Sequence, residues 1–462
     1  MRRFRPLRPV LTTAALCLAV LALALVWATA CGGESGPSST STTGVPKPAT
    51  YSTVPQDGYL LAMSDAARLA PAASQSDLRA VAESTKLVGL DLYRVLTEKS
   101  QGGNLVISPS SIVTALAMTY AGALGSTAQE MAKVLHFSLE GEALHQAFNS
   151  LNAELESRSW ERTNPEGKKE KVLVRTANSL WGQKDLLFEQ AFLDTLAANY
   201  GAGMRLVDFV NAVEEARQAI NAWVAKETEG KIPELIAKGV LDKLTRLVLV
   251  NAVYLDATWQ AQFDPQQTRD GLFTTLAGTE VTVPMMRQTA AFPYAKGDGW
   301  QALELPYVGD QLALLLVAPD EGRMAEVESR LPSGLLDQAV AALQPGTEVE
   351  LSLPKFKVRT QADLVPVFVA LGMKAPFDPG LADFSGITTQ DHLYITDIIH
   401  EAYLAVDEEG TEAAAATAVV MGKTAMPLEI VKLTLDHPFL FALRDRETGT
   451  VLFLGRVADP TK

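Results

Sequence analysis

The order of apolar and polar residues along the chain predicts a mixture of helices and strands. Between Leu78 and Val95 apolar residues recur at helical spacing, which predicts a long helix with one apolar face. The run LVLVNAVYL, from Leu247 to Leu255, is apolar at nearly every position and is typical of a central strand buried on both faces. Since helices and strands follow no strict alternation, the sequence predicts an α+β fold in one large domain without internal repeats.

A strand followed by a run of small residues is predicted near the C-terminus. LYITDIIHEAYLAV, from Leu393 to Val406, alternates apolar and polar residues as strands do. The stretch DEEGTEAAAATAVVM follows, and from Thr411 onward every second residue is uncharged. As a strand, this stretch could bury one face and leave the other, with Glu412, in water. The alternative is an alanine-rich helix start or a flexible linker, although the neighbouring Gly, Thr and Val leave such a helix few turns.

The first thirty residues are typical of an export signal. Four arginines precede an apolar run from Val10 to Val26, and small residues lead to Cys31. The Ala-Thr-Ala before Cys31 resembles a bacterial lipoprotein cleavage site. We therefore expect Cys31 to carry a lipid as the first residue of the mature chain and to anchor it to the outer face of a bacterial membrane. Ordinary secretion after cleavage and an uncleaved anchor are the alternatives, since seventeen apolar residues are just long enough to span a membrane.

Composition divides the remaining chain into a tether and a domain. Residues 31–57 are rich in Ser, Thr, Pro and Gly, which predicts a flexible tether, and residues 58–462 form the predicted globular domain. Loss of residues 1–30, with four arginines and no acidic residue, changes the net charge from −14 to −18. An acidic surface argues against nucleic acid as a partner. The two cysteines, Cys17 and Cys31, lie at the signal, so the domain's stability must come from its core.

The sequence lacks the motifs of common enzymes. No GxSxG, CxxC or HExxH motif occurs, and the five histidines show no ligand spacing, so we expect no metal, no cofactor and no catalytic activity. Ser108, Ser111 and His400 could make a hydrolase site with an unseen aspartate. We favour a buried polar cluster for these three residues. Ser108 also precedes Pro109 as a favoured helix cap.

Several stretches of the chain resemble one family. DEEGTEAAAATA resembles the hinge of the reactive-centre loop of serpins, and HPFLFALRDRETGTVLFLGRVADP resembles their C-terminal strands. The other matching stretches are NLVISPSSIVTALAMTYAGALGSTAQEM from Asn104, ANSLW from Ala177, INAWVAKETEGKI from Ile220, LVLVNAVYLDATWQAQF from Leu247 and LSLPKFKV from Leu351. The resemblance covers roughly residues 78–460. It implies a serpin fold, with a large mixed β-sheet, surrounding helices and an exposed reactive-centre loop.

The resemblance assigns roles to three groups of residues. Ser108, Ser111, Asn251 and His400 match the shutter, a polar cluster beneath the central strands that lets them part. Trp259, Lys355 and Glu408 match the breach, where insertion of the loop into the sheet begins, and an ion pair between Lys355 and Glu408 is expected there. The hinge residues that would insert first are Gly410, Thr411, Glu412, Ala413, Ala414, Ala415, Ala416 and Thr417.

The resemblance also implies a function. The loop would be the substrate of a serine or cysteine protease, and its cleavage and insertion would trap a covalent complex of that protease with an otherwise monomeric inhibitor. Hinge composition favours an inhibitor, because neither a charge at Thr411 nor a proline obstructs insertion. The family's spacing places the reactive bond at Thr424-Ala425; a register one residue shorter places it at Lys423-Thr424, and Met421 or Met426 would suit a chymotrypsin-like pocket. A non-inhibitory surface binding protein is the alternative function.

Overall fold

The structure of the protein, a computed structural model, describes residues 51–100, 102–165, 167–411 and 430–462. In this part of the chain no helix is both long and apolar enough to cross a membrane. The helices are α1 (Gln75–Lys99), α2 (Pro109–Tyr120), α3 (Gly125–Val134), α4 (Gly141–Ser157), α5 (Gln190–Tyr200), α6 (Val213–Glu227), α7 (Met324–Ser329), α8 (Leu335–Ala342) and α9 (Val365–Ala370).

The strands form two sheets. They are β1 (Ser52–Gln56), β2 (Tyr59–Met63), β3 (Leu105–Ile107), β4 (Trp160–Thr163), β5 (Lys169–Gln183), β6 (Met204–Val207), β7 (Leu247–Thr258), β8 (Arg269–Thr274), β9 (Glu280–Gly297), β10 (Trp300–Pro306), β11 (Leu312–Pro319), β12 (Gln344–Pro354), β13 (Phe356–Asp363), β14 (Asp397–Val406), β15 (Gly410–Thr411), β16 (Val431–Thr434), β17 (Phe439–Asp445) and β18 (Val451–Val457). The main sheet has the order β1-β2-β6-β5-β7-β15-β14-β13, with β4 paired to β5. The second sheet has the order β16-β12-β9-β10-β11-β17-β18-β3, with β8 paired to β9.

Strand β7 lies at the centre of the main sheet, as its composition predicts. All twelve of its residues are buried. On one face Val248 and Val250 belong to a core cluster with Ile220 and Trp223 of α6. On the other face Leu249 belongs to the larger cluster that includes α1 and α2. The continuous apolar run of β7 therefore arises because helices cover both faces of the sheet.

The main sheet is closed along most of its length and parted at one end. β7 and β14 are parallel neighbours and pair directly where Val248–Tyr254 lies beside Asp397–Tyr403. Beyond this pairing β15 lies between them and is antiparallel to both. A Cβ atom on Gly410 would lie 1.9 Å from the carbonyl oxygen of Ala257, so only glycine fits there. Residues 412–429 and residue 31 lie outside the described residues, so the structure does not bear on the rest of the predicted hinge, the reactive bond or the lipid site.

Two predicted boundaries differ from the structure. Composition predicts a tether through residue 57, yet residues 52–56 form β1, which pairs with β2 and extends the sheet beyond β6. All five residues of β1 are exposed, so backbone pairing holds this strand and no apolar pattern could reveal it. The strand predicted from Leu393 begins at Asp397, and the N–H group of Ile395 donates to the carbonyl of Pro376, outside the sheet.

Candidate functional site

The hinge enters the main sheet through contacts with two stacked aromatic rings. The rings of Trp259 and Tyr307 lie 4.4 Å apart and nearly parallel. Trp259 donates from its indole nitrogen to the carbonyl of Asp407 (3.0 Å) and from its backbone N–H to that of Glu409 (2.9 Å). The hydroxyls of Tyr307 and Thr411 form a hydrogen bond of 2.6 Å, and both residues are fully buried. Burial raises the pKa of Tyr307, so its hydroxyl stays protonated and able to bind Thr411.

An ion pair fixes the turn that precedes the hinge. Lys355 Nζ lies 2.6 Å from Glu408 Oε2, as the resemblance implies, and Thr268 donates to the other carboxylate oxygen at 2.8 Å. Burial by itself raises the pKa of the Glu408 carboxyl group. The hydrogen bonds that the carboxylate accepts, first that from Lys355, together have the larger and opposite effect, so the pKa lies below its usual value. Because Glu408 is buried, loss of Lys355 would leave a charge poorly solvated. Lys355 itself is 38% exposed, so water screens the pair on that side.

A second polar cluster crosses the closed part of the sheet. Asn178 of β5, Asn251 of β7 and His400 of β14 lie opposite one another in the strand register. The Ser111 hydroxyl donates to Asn178 Oδ1, and Asn251 Nδ2 lies 3.4 Å from the same oxygen and from the carbonyl of Ser111. The Ser108 backbone N–H donates to His400 Nε2 at 3.2 Å. The structure thus brings together the four residues that the resemblance groups.

This cluster contains one donor and one acceptor that have no hydrogen-bond partner among the described residues. Burial lowers the pKa of His400 to about 3, so the ring is neutral at physiological pH. Since His400 Nε2 accepts a hydrogen bond, the proton lies on Nδ1, which has no partner. Asn251 Oδ1, on the neighbouring strand, also has none. Unpaired buried groups of this kind are rare, because a buried polar group without a partner costs free energy.

The geometry does not support the hydrolase alternative. Ser108 meets His400 through its backbone, and its hydroxyl lies 3.4 Å from the hydroxyl of Ser110. The Ser111 hydroxyl is bound to Asn178, and no carboxylate of the described residues binds His400 Nδ1. A hydrolase of this kind needs a nucleophile that is hydrogen-bonded to a base and a third group that orients the base. The described residues around His400 provide neither arrangement. Ser108 does begin α2, but its side chain makes no capping hydrogen bond, so that part of the prediction is wrong.

Asn178 and Tyr307 are members of these clusters that sequence reasoning did not identify. Asn178 lies within the matching stretch ANSLW, but nothing in that stretch indicates which strand will lie beside Asn251. Tyr307 follows β10 at the end of an apolar segment and is more than a hundred residues from Thr411. Both acquire their roles through long-range packing.

The buried imidazole predicts a pH dependence of stability. The pKa of His400 is lowered from 6.5 to about 3 by burial. An unfolded chain takes up a proton below pH 6.5 and the native one does not, so stability falls as the pH falls from 6.5 towards 3. At pH 5 the loss from this group is about 2 kcal/mol. Denaturant unfolding of the parent and of His400→Gln at pH 7.5 and 5.0 should show a smaller pH difference in the variant, and equal differences would contradict a neutral buried His400.

Comparison with known proteins identifies the family. The family model described as serpin (serine protease inhibitor) matches residues 83–460. The chain belongs to the serpin family. The leukocyte elastase inhibitor of Bos taurus is 38% identical over 382 residues, which are 80% of this chain and 97% of that protein.

Solved serpin structures confirm the fold. A highly specific serpin of the insect Tenebrio molitor has a TM-score of 0.70 at 31% identity and covers 82% of this chain and 98% of its own. Thyroxine-binding globulin in complex with thyroxine has a TM-score of 0.71 at 30% identity and covers 82% of this chain and 99% of its own. The large mixed sheet with surrounding helices is therefore the serpin fold. Thyroxine-binding globulin shares this fold and binds a small molecule, so the fold alone does not establish that a serpin inhibits proteases. The function of this chain must therefore be argued from its hinge.

Proposed function

We propose that this serpin inhibits a serine or cysteine protease as a suicide substrate. The protease would cleave the loop and form an acyl-enzyme, and the freed hinge would then enter the main sheet as a new strand, a form of strand addition for which serpins are a known example. One observation carries the proposal: Gly410 and Thr411 already lie between β7 and β14, antiparallel to both, while most of that boundary is closed by direct pairing. The sheet therefore holds the first two residues of the strand that it would accept.

Continuing the observed register supports insertion of the following residues. Thr411 lies opposite Ala257 and Val406. In the same register Ala413 would lie between Leu255 and Leu404, and Ala415 between Val253 and Ala402. These four neighbours are core residues, so the side chains brought between them must be small and uncharged. Glu412 would fall on the opposite face.

The observed register would bring Thr417 to the polar cluster, where its hydroxyl could bind the unpaired groups. Thr417 would arrive between Asn251 and His400, whose Oδ1 and Nδ1 atoms have no partner in the closed sheet. A hydroxyl both donates and accepts, so Thr417 could bind Asn251 Oδ1 and His400 Nδ1 together. The cluster would then be better satisfied with the strand inserted than without it. This supports a role for these residues as the shutter.

Insertion would also move the attached protease. From Gly410 to Thr424 there are fifteen residues, which as a strand span about 50 Å. A protease held by an ester at Thr424 would be carried towards the other end of the sheet. We infer that its distortion there blocks hydrolysis of the ester.

The residues at the reactive bond suggest the class of target. Cleavage at Thr424-Ala425 places small side chains at the bond and suits elastase-like or subtilisin-like proteases. The similarity to the leukocyte elastase inhibitor supports this register. Cleavage at Lys423-Thr424 would suit trypsin-like proteases.

We also propose that the protein is exported and held by a lipid on Cys31, with residues 31–50 as a tether for a monomeric inhibitor. The signal-like first thirty residues and the cysteine after Ala-Thr-Ala support this placement. Mass spectrometry of the mature N-terminus tests it. A diacylated Cys31 would support the anchor, and cleavage without lipid would favour secretion.

Incubation with a panel of serine and cysteine proteases tests the proposed inhibition. With a matching protease, a denaturing gel should show a band at the summed mass of the two proteins. Reaction with hydroxylamine, which cleaves esters, should abolish that band. Clean cleavage of the loop by every protease, without a stable band, would instead favour a surface binding protein with the serpin fold.

A further inference from the structure

The carboxylate of Glu401 is buried in the main sheet and belongs to neither of the polar clusters described above. Glu401 lies on β14, is 2% exposed and forms an ion pair with Arg359 of β13 at 3.3 Å. Burial raises the pKa of its carboxyl group, and the charge of Arg359 limits that rise. A buried charge is costly without a partner, so the carboxylate holds the Arg359 guanidinium beside it.

Arg359 also reaches the segment that follows helix α6. Its guanidinium donates to the carbonyl of Lys231. Gln361, two residues further along β13, donates from its side chain to the carbonyl of Leu235. We name residues 229–236 the α6 extension. These two hydrogen bonds attach the extension to β13.

The α6 extension is in turn fixed to its helix. The N–H group of Lys231 donates to the carbonyl of Thr228, directly after α6, at 2.9 Å. The buried side chain of Asn221, within α6, accepts from the N–H group of Ile236 at 2.8 Å and donates to its carbonyl at 2.9 Å. Both ends of the extension are therefore held to the helix, and the bonds from β13 hold α6 as well.

Helix α6 is also attached to strands on the other side of the β7–β14 boundary. The ring of Trp223 meets that of Trp181 of β5 edge to face at 5.9 Å, and both rings are buried. Trp223 belongs to the same core cluster as Val248 of β7. Glu229 of the extension forms an ion pair with Arg175 of β5 at 3.3 Å. The helix and its extension thus connect β5 and β7 with β13.

We propose that Arg359 and Gln361 latch α6 across the β7–β14 boundary, that Glu401 positions Arg359 for this contact, and that the latch slows insertion of the loop. The inference rests on the proposed insertion mechanism. β13 is paired with β14 along its whole length, so the two strands move together. A new strand would separate them from β7 by about 4.8 Å, the spacing of neighbouring strands.

This separation must break one of the two attachments of α6. The packing on β5 and β7 buries large aromatic and aliphatic side chains, whereas β13 holds the helix through the two hydrogen bonds of Arg359 and Gln361. The bonds to β13 are therefore the ones that break. Their loss adds to the barrier that keeps the uncleaved loop outside the sheet.

The test removes the latch from the full chain without leaving an unpaired buried charge. In Arg359→Ala/Glu401→Gln the ion pair and the bond to Lys231 are both lost. On warming, the uncleaved variant should lose its complex-forming activity about threefold faster than the parent, and about tenfold faster when Gln361→Ala is added. A monomeric form of higher melting temperature should appear at the same rate, while a gel shows that the chain is intact.

Single substitutions test whether Glu401 acts through Arg359. Glu401→Gln removes the charge that holds Arg359, so it should convert as fast as Arg359→Ala/Glu401→Gln, without additive effects. Conversion of Glu401→Gln at the parent rate would exclude its positioning role. If Arg359→Ala converted faster than the parent and the added Glu401→Gln restored the parent rate, an unpaired carboxylate would be the cause and the latch would be refuted.

Arg444→Ala/Glu304→Gln is the matched control. Glu304 of β10 is 1% exposed and pairs with Arg444 of β17 at 2.7 Å, but in the second sheet. This control should convert at the parent rate, and equal rates for the control and the main-sheet variants would overturn the proposal. A main-sheet variant that does not fold is replaced by Gln361→Ala, an exposed position at which about threefold is expected and the parent rate would count against the latch.

The two proposals fail in different ways. If no protease gives a complex, the inhibition proposal fails, while the rate at which the higher-melting form appears still decides the role of the latch. If the parent and every variant never gain that form on warming, there is no insertion for the latch to slow and the inference fails.

Discussion

Replacement of Thr411 by arginine is expected to convert this serpin from an inhibitor into a substrate. Thr411 is fully buried between β7 and β14 and bound to Tyr307, so an arginine in its place would have to bury a guanidinium group or leave the sheet. Burying an unpaired charge costs several kcal/mol, which slows insertion by about a hundredfold or more. Hydrolysis of the acyl-enzyme would then finish before the protease is carried away. Gels should show the cleaved chain in place of the covalent complex.

The matched control places the same charge one residue further on. Glu412, outside the described residues, alternates with Thr411 and would face away from the core in the observed register. Glu412→Arg should therefore retain most complex formation against the same protease. If Thr411→Arg formed as much complex as the parent, position 411 would not need to occupy the sheet, and insertion as the trapping step would be excluded.

Cleavage of the loop is expected to raise the melting temperature substantially. Residues 412–424 would pair on both sides, while the direct pairing of β7 with β14 would be lost. The net gain is roughly fifteen backbone hydrogen bonds, each with a net value of about 0.5 to 1.5 kcal/mol, or roughly 8 to 20 kcal/mol in all. For a domain of about 400 residues, this corresponds to a rise of about 10 to 25 °C. The pairing of Thr417 with Asn251 and His400 would add to the gain. Calorimetry of the intact protein and of protein cut at the loop by a catalytic amount of protease measures the difference.

The cleaved Thr411→Arg variant controls for effects of the cut itself. Its loop is severed at the same bond, but the charge at position 411 opposes occupation of the sheet by the hinge, so its melting temperature should rise much less. Equal melting temperatures for the intact and cleaved parent would show that no stability is stored in the uncut form. The uncut form would then lack the free energy that is proposed to distort the protease.

The sequence predicted much of the fold because several elements have local signals. The apolar run of β7 and the helical spacing of α1 each identify an element without knowledge of its neighbours. The small residues after Gly410 likewise indicate a segment that can pack closely between other strands, although they do not indicate which strands. Resemblance to serpins then supplied the residues of the two polar clusters, and the structure brings both groups together.

Three features had no local signal. β1 exists through its pairing with β2 and has no buried side chain. Tyr307 binds Thr411 only because the β10–β11 turn lies against the parted end of the sheet. Asn178 joins the polar cluster because β5 pairs with β7 in one register among several that an apolar strand allows.

Local patterns in this sequence specify the kind of each major element and the small size of the side chains in the loop, because side-chain size and apolar spacing act within a few residues. Long-range packing places the start of the hinge in the parted end of the sheet and leaves a donor and an acceptor unpaired across the closed part. Both features depend on hydrogen bonds made, or left unmade, between segments far apart in the chain. Their partners are chosen by strand register and packing, which no local pattern specifies.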